Sequence, residues 1–138
     1  MSPLSSLTNL ETLILSFNEI KQIQGLSMCK SLKTLDLNHN FISQIEGLIH
    51  CQKLDDLNLG NNWISNPTDL IHLKEFTPNL SSLWLKANPL SSQKHYKSLL
   101  LWTLPGLKWI DGVLVNEEEK KEETLLESIL KECGKHTE

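Results

Sequence analysis

Apolar side chains recur along this chain in a fixed phrase, LxxLxLxxNxI/L. It is written four times, as LETLILSFNEI (10–20), LKTLDLNHNFI (32–42), LDDLNLGNNWI (54–64) and LSSLWLKANPL (80–90). The starts at Leu10, Leu32, Leu54 and Leu80 lie 22, 22 and 26 residues apart, and self-similarity at that period predicts a solenoid. Leu13 and Leu15, two apart, point to one face of a short strand, while Thr12, Ile14 and Ser16 point to the other. Stacked side by side, such strands make a parallel sheet with one buried and one open face. Asn18, Asn40, Asn62 and Asn88 fall where the chain turns inward after the strand. A buried turn leaves peptide groups without partners, and an Asn amide both donates and accepts, so this column reads as a structural ladder rather than a ligand site.

Between the phrases, Ile23, Leu26 and Cys29, matched by Ile45, Leu48 and Cys51, form the back wall of the core, with Gly25 and Gly47 allowing a tight bend. The third repeat carries four extra residues. There Asn66 as N-cap, Pro67 at the first helical position and Asp69 in the first turn predict a helix with Leu70, Leu73 and Phe76 inward and Pro78 as its stop. Residues 1–90 are thus the repeats. Residues 91–116 read as a C-terminal cap. In it, Ser91 or Ser92 opens a helix running through Trp102, Leu104-Pro105-Gly106 ends it, and Leu107, Ile110 and Val113 or Val115 close the last repeat with an irregular strand. Trp102 and Trp109 are expected in the core of this cap. Residues 117–138 read as an acidic tail with a capping-box-like start at Asn116, and Leu125, Leu126, Ile129, Leu130 and Cys133 form an apolar stripe at helical spacing. That stripe either packs on the array or a neighbouring domain, or binds a partner.

The other end reads differently. Leu4, Leu7 and Leu10 look like the back half of a repeat whose strand is missing, and no polar cap precedes them. Either the chain is a fragment or short isoform of a longer array, or another chain covers that end.

Charge adds little to the repeats. The net charge is −4; from Glu117 onward there are 8 acidic and 4 Lys residues, leaving 9 of each before it, so the excess lies in the tail. A neutral body argues against binding nucleic acid by bulk charge. No apolar run approaches membrane-spanning length and no signal peptide is evident, so a cytoplasmic setting is expected, with cilium, cytoskeleton or nucleus open. With three Cys and no export signal, the thiols are expected to be reduced. Cys29 and Cys51 read as small core residues, the alternative being a disulfide or a metal site shared with His50.

No catalytic, cofactor or metal constellation emerges, so no enzyme activity is expected. The five His lack a metal-site pairing, no CxxC occurs, and Asp55 and Asp56 are adjacent in a strand and point to opposite sides. Binding is better supported. The open-face columns place Ile14, Asp36, Asn58 and Trp84 in the centre, then Ser16, Asn38, Gly60 and Lys86, then Phe17, His39, Asn61 and Ala87. Glu19, Phe41, Trp63 and Pro89 follow on the rim, where the two aromatics either shield the loop ladder or anchor a partner. The expected partner-binding residues are Ile14, Phe17, Asp36, His39, Phe41, Asn58, Trp63, Trp84 and Lys86, with Trp84 the leading contact. The expected partner is a helix or loop of another protein.

These phrases resemble the leucine-rich repeat family, in particular its phosphatase-regulating class. Tyr96-Lys97-Ser98-Leu99-Leu100 followed by Leu104-Pro105-Gly106-Leu107-Lys108-Trp109-Ile110-Asp111-Gly112 is similar to that class's C-terminal cap. The resemblance implies an α/β fold, a right-handed solenoid with a curved parallel sheet on the concave face and an irregular or helical convex side. Similar capped arrays serve a phosphatase regulator, a ciliary dynein light chain, ciliary assembly factors and a splicing component. For this chain the resemblance implies a non-enzymatic interaction module, with a ciliary or cytoskeletal scaffold favoured over a phosphatase regulatory subunit or a structural piece of a longer solenoid.

Overall fold

A computed structural model describes residues 7–118. Its sheet has six strands in chain order: β1 (Thr12–Ile14), β2 (Thr34–Asp36), β3 (Asp56–Asn58), β4 (Ser82–Trp84), β5 (Trp109–Ile110) and β6 (Val113–Leu114). The first five are parallel and β6 returns antiparallel to β5. Register follows the repeated phrase: Leu13, Leu35, Leu57 and Leu83 stand side by side, and so do Ile14, Asp36, Asn58 and Trp84. Because side chains alternate across a strand, the leucine row turns inward and the other row faces out. Leu35, Leu57 and Leu83 are buried together with Leu37, Leu59 and Leu85, and the back wall of Ile23, Leu26, Cys29, Ile45, Leu48 and Cys51 closes on them.

The inward turns carry the Asn ladder, with three buried rungs rather than the four expected. Asn62 Nδ2 donates to Leu37 O and Leu59 O, both at 3.0 Å, and its Oδ1 accepts the Ile42 N–H at 3.0 Å. Asn40 and Asn88 repeat this arrangement one turn either side, accepting from Ile20 and Ile64 at 3.1 and 2.9 Å. Asn18 is exposed and bonds only within its own turn, because the repeat it would serve is not among the described residues.

In the third repeat a 3₁₀ turn (Pro67–Asp69) leads into α1 (Leu70–Phe76), and Asn66 Oδ1 accepts the Thr68 N–H at 3.0 Å as the N-cap. Leu70 and Leu73 are buried. Asp69 has a role the helix-start pattern does not reveal: its buried Oδ2 accepts the Ile45 N–H of the preceding repeat at 3.1 Å. In the cap the expected helix start at Ser91 or Ser92 is displaced. Ser91 Oγ is engaged by Asn88, accepting its N–H at 3.2 Å and donating to its carbonyl at 2.8 Å, which winds Pro89–Ser92 into a 3₁₀ turn. The helix proper, α2, is Tyr96–Thr103.

Leu100, Leu101, Leu104, Leu107, Ile110 and Val115 fill the cap interior. Trp102 and Trp109, expected there, are 54% and 43% exposed, because α2 turns its leucines inward and Trp109 sits opposite buried Ile110 on the strand. Val115 is buried and Val113 exposed. Asn116 Oδ1 accepts the Glu118 N–H at 2.9 Å; the rest of the expected tail helix lies outside the described residues.

Asn62→Ala would strand the buried Ile42 N–H and two carbonyls. We expect it to lower unfolding free energy by about 3 kcal/mol or more in urea titration, since each buried polar group left unpaired costs about 1–3 kcal/mol. A loss within about 0.5 kcal/mol, the usual range for a surface substitution, would contradict the ladder.

Candidate functional site

After each strand the chain enters its turn through a residue with left-handed backbone: Phe17 (φ 58°), His39 (58°), Asn61 (54°) and Ala87 (60°). None is glycine, so each conformation is held by its surroundings against a steric penalty. The turn amides supply part of that hold, since Phe17 donates to Asn38 O at 3.0 Å, His39 to Gly60 O at 3.0 Å and Asn61 to Lys86 O at 2.8 Å. Two centre-column side chains supply more: Asp36 Oδ1 accepts the Asn38 N–H and Asn58 Oδ1 the Gly60 N–H, both at 2.9 Å. Asp36 and Asn58, expected as partner contacts, are therefore also turn-closing residues.

The left-handed column throws its side chains outward from the sheet edge. Phe17 and His39 stack with ring centroids 4.3 Å apart and 12° between planes. Phe17 is 73% exposed, and Ile14, in the first strand beside them, 63%. On the rim Phe41 and Trp63 are 50% and 61% exposed. Between the column and the rim runs an open groove of about 550 Å³, lined among others by His39, Phe41, Asn61, Trp63, Pro89 and Ser92. Its floor is the Asn ladder, whose amides are already bonded. The groove thus offers apolar and aromatic walls over a polar but satisfied base.

Trp84 stands apart from these residues. It is partly buried, and a Cβ placed on Gly112 would come within 2.6 Å of its Cη2, so the indole lies on the bare backbone of the cap. Its place on the open face thus has a structural reason that column counting does not reveal. Asp111 (φ 51°) and Gly112 (φ 79°) form the two-residue link between β5 and β6, a tight hairpin where an irregular strand is expected, and Asp-Gly is the local signal for it. Asp111 does a second job. Its Oδ1 accepts the N–H groups of Leu85 and Lys86 at 2.7 and 2.9 Å, and its Oδ2 accepts the Tyr96 hydroxyl at 3.0 Å. Burial, then the Asp111 charge and this hydrogen bond, push the Tyr96 phenol well above its ordinary range. Lys86 is exposed beside the cap rather than in the groove.

Asp56, one residue outward of the buried leucine row on its strand, holds a perturbed carboxyl. One of its carboxylate oxygens, Oδ1, is buried without a hydrogen-bond partner. Burial raises its pKa, a Ser82 hydrogen bond lowers it, and Asp55 and Asp36 raise it again, for a net upward shift. Asp55 points away and receives the Ser81 hydroxyl. Cys29 and Cys51 are free and buried; burial, then the neighbouring Cys29, pushes the Cys51 thiol up to about 11, so it is a poor thiolate. Among the described residues no three His, Cys, Asp or Glu side chains are grouped to hold a metal ion, and no helix is long and apolar enough to cross a membrane.

The upward shift at Asp56 fixes a sign. A carboxyl that binds its proton more tightly folded than unfolded costs stability above its folded pKa, and that cost disappears below the unfolded value. Asp56→Asn is therefore expected to raise the thermal midpoint at pH 7, with the gain fading as pH falls through the folded pKa and absent below the ordinary carboxylate range. A gain that persists in acid would assign the effect to something other than ionisation.

Three comparisons set this geometry among known proteins. A chain of the Drosophila melanogaster SNF/U2A′ complex superposes with a TM-score of 0.80 at 28% identity, covering 92% of this chain and 77% of that one. Internalin C2 of Listeria monocytogenes gives a TM-score of 0.58 at 29% identity, covering 80% of this chain and 45% of that one. Over 42 residues the chain is 40% identical to human dynein axonemal assembly factor 11, a match spanning 30% of this chain and 9% of that protein's length. The leucine-rich repeat family model matches residues 4–132, so the four phrases, the stacked parallel strands and the Asn ladder make this chain a member of the leucine-rich repeat family.

Proposed function

We propose that this chain is a non-enzymatic protein-interaction module that receives a helix or loop of a partner protein along the left-handed column and its aromatic rim, in a ciliary, dynein-assembly setting. One observation carries the surface. Ile14, Phe17, Phe41 and Trp63 remain half or more exposed on a backbone whose turns are held by hydrogen bonds. Large apolar side chains on a rigid frame lose little entropy on binding, which is the economy of interface anchors. Phe17, Phe41 and Trp63 therefore replace Trp84 as the leading contacts, His39 orients Phe17 by stacking, and Asp36 and Asn58 hold the turns between them.

The setting rests on the stretch shared with dynein axonemal assembly factor 11. The likeness to a chain of the SNF/U2A′ complex, over nearly the whole length, favours a second reading, a stable pairing with one protein partner.

Phe17→Ala with Trp63→Ala tests both. Quantitative affinity capture from ciliated cells is expected to recover dynein-assembly proteins with the parent chain. The double variant should reduce that recovery by about ten-fold or more, the scale of losing a hot-spot anchor. Its thermal midpoint should stay close to the parent's, since both side chains are mostly exposed. Equal recovery with the variant would remove the surface assignment, and one stoichiometric partner unrelated to dynein would support the second reading instead.

A further inference from the structure

The first strand ends a ladder that is built to continue. In the later repeats each Asn serves the repeat before it: Asn40 Oδ1 accepts the Ile20 N–H and Asn62 Oδ1 the Ile42 N–H, both 20 positions upstream. Asn18 already holds the same posture. Its Nδ2 donates to Leu15 O at 2.8 Å and Ser16 O at 3.2 Å, as that of Asn62 does to Leu59 O and Gly60 O, while its Oδ1 accepts nothing among the described residues.

The strand edge matches. Glu11 O, Leu15 N–H and Phe17 N–H face β2, so alternation turns the peptide groups of Thr12 and Ile14 to the opposite edge, where no described strand meets them. Behind that edge Leu10, Leu13, Leu15 and Ile20 are only partly buried, whereas their counterparts Leu32, Leu35, Leu37 and Ile42 are 0–2% exposed.

We infer that this face receives one further leucine-rich repeat, stacked parallel and in register ahead of β1. The occupant has the LxL strand of the same template, an uncapped downstream edge, and a backbone N–H two residues after its own Asn to meet Asn18 Oδ1. The three junctions within the chain supply the interface geometry. A second copy of this chain does not fit. Its downstream edge is closed by the β5–β6 hairpin and Asp111, and its β1 edge would meet this one antiparallel, which offers no equivalent N–H to Asn18.

Fusing a copy of residues 23–44 directly ahead of Met1 places a phrase 22 residues before Leu10 and the copied Ile42 20 positions before Asn18. In the full extended chain, amide exchange at Thr12 and Ile14 should slow about ten-fold or more against the parent. Asn18→Ala should lower the unfolding midpoint of the extended chain and leave that of the parent nearly unchanged. A second extension, a copy of residues 1–22 at the same place, has the same spacing and guards against a fault peculiar to one prefix. Unchanged exchange at Thr12 and Ile14 in both extended chains, a prefix whose own amides exchange freely in both, or an equal effect of Asn18→Ala in parent and extended chains would each overturn the inference.

Discussion

Each repeat of this protein must drive its backbone into the interior just after the strand, and the peptide groups buried there have to find partners without water. A single Asn amide resolves this at the Asn40, Asn62 and Asn88 turns by bonding carbonyls and one N–H drawn from its own repeat and the one before. The bond is intramolecular but inter-repeat, so no repeat is complete alone. Stacking, and with it the shared leucine core, follows from that incompleteness as much as from apolar burial.

The same constraint shapes the binding surface. To bring the Asn inward, the residue before it takes a left-handed conformation, and its side chain is thrown out over the sheet edge. Phe17 and His39 occupy that place in adjacent repeats and stack, while the residue after the Asn, Phe41 or Trp63, is left standing on the rim. Scaffold and contact surface are therefore one device, in which an invariant letter of the phrase positions the variable letters beside it.

The two ends of the array treat the constraint in opposite ways. At the cap, the Asp111 carboxylate accepts the N–H of Leu85, where earlier repeats use the next repeat's backbone carbonyl, as Leu59 does with Trp84 O, and the N–H of Lys86, where they use the Asp36 or Asn58 side chain of their own repeat. Tyr96 holds that carboxylate in place, and Gly112 leaves room for the Trp84 indole against the hairpin. The first strand has no such substitute among the described residues, and its leucines keep part of their surface exposed.

Much of this was legible in the chain because the signals are local and repeated. A period of 22 residues, leucines two apart, an Asn at a constant offset and the Asn66-Pro67 helix start each act over a few residues, so they determined the sheet, its register, the inward face and the insertion helix. What depended on neighbours distant in sequence was not legible. Trp84 reads as a free aromatic until Gly112, 28 residues on, is brought beneath it, and Trp102 reads as core until α2 turns its leucines inward. Asn18 carries the same letter as Asn62 but is exposed, because a rung is made by the repeat it serves and not by the residue that makes it. Sequence by itself determined which positions are equivalent; the tertiary structure alone decided which of those equivalent positions are occupied, covered or left open, since burial belongs to a pair of surfaces and not to a residue.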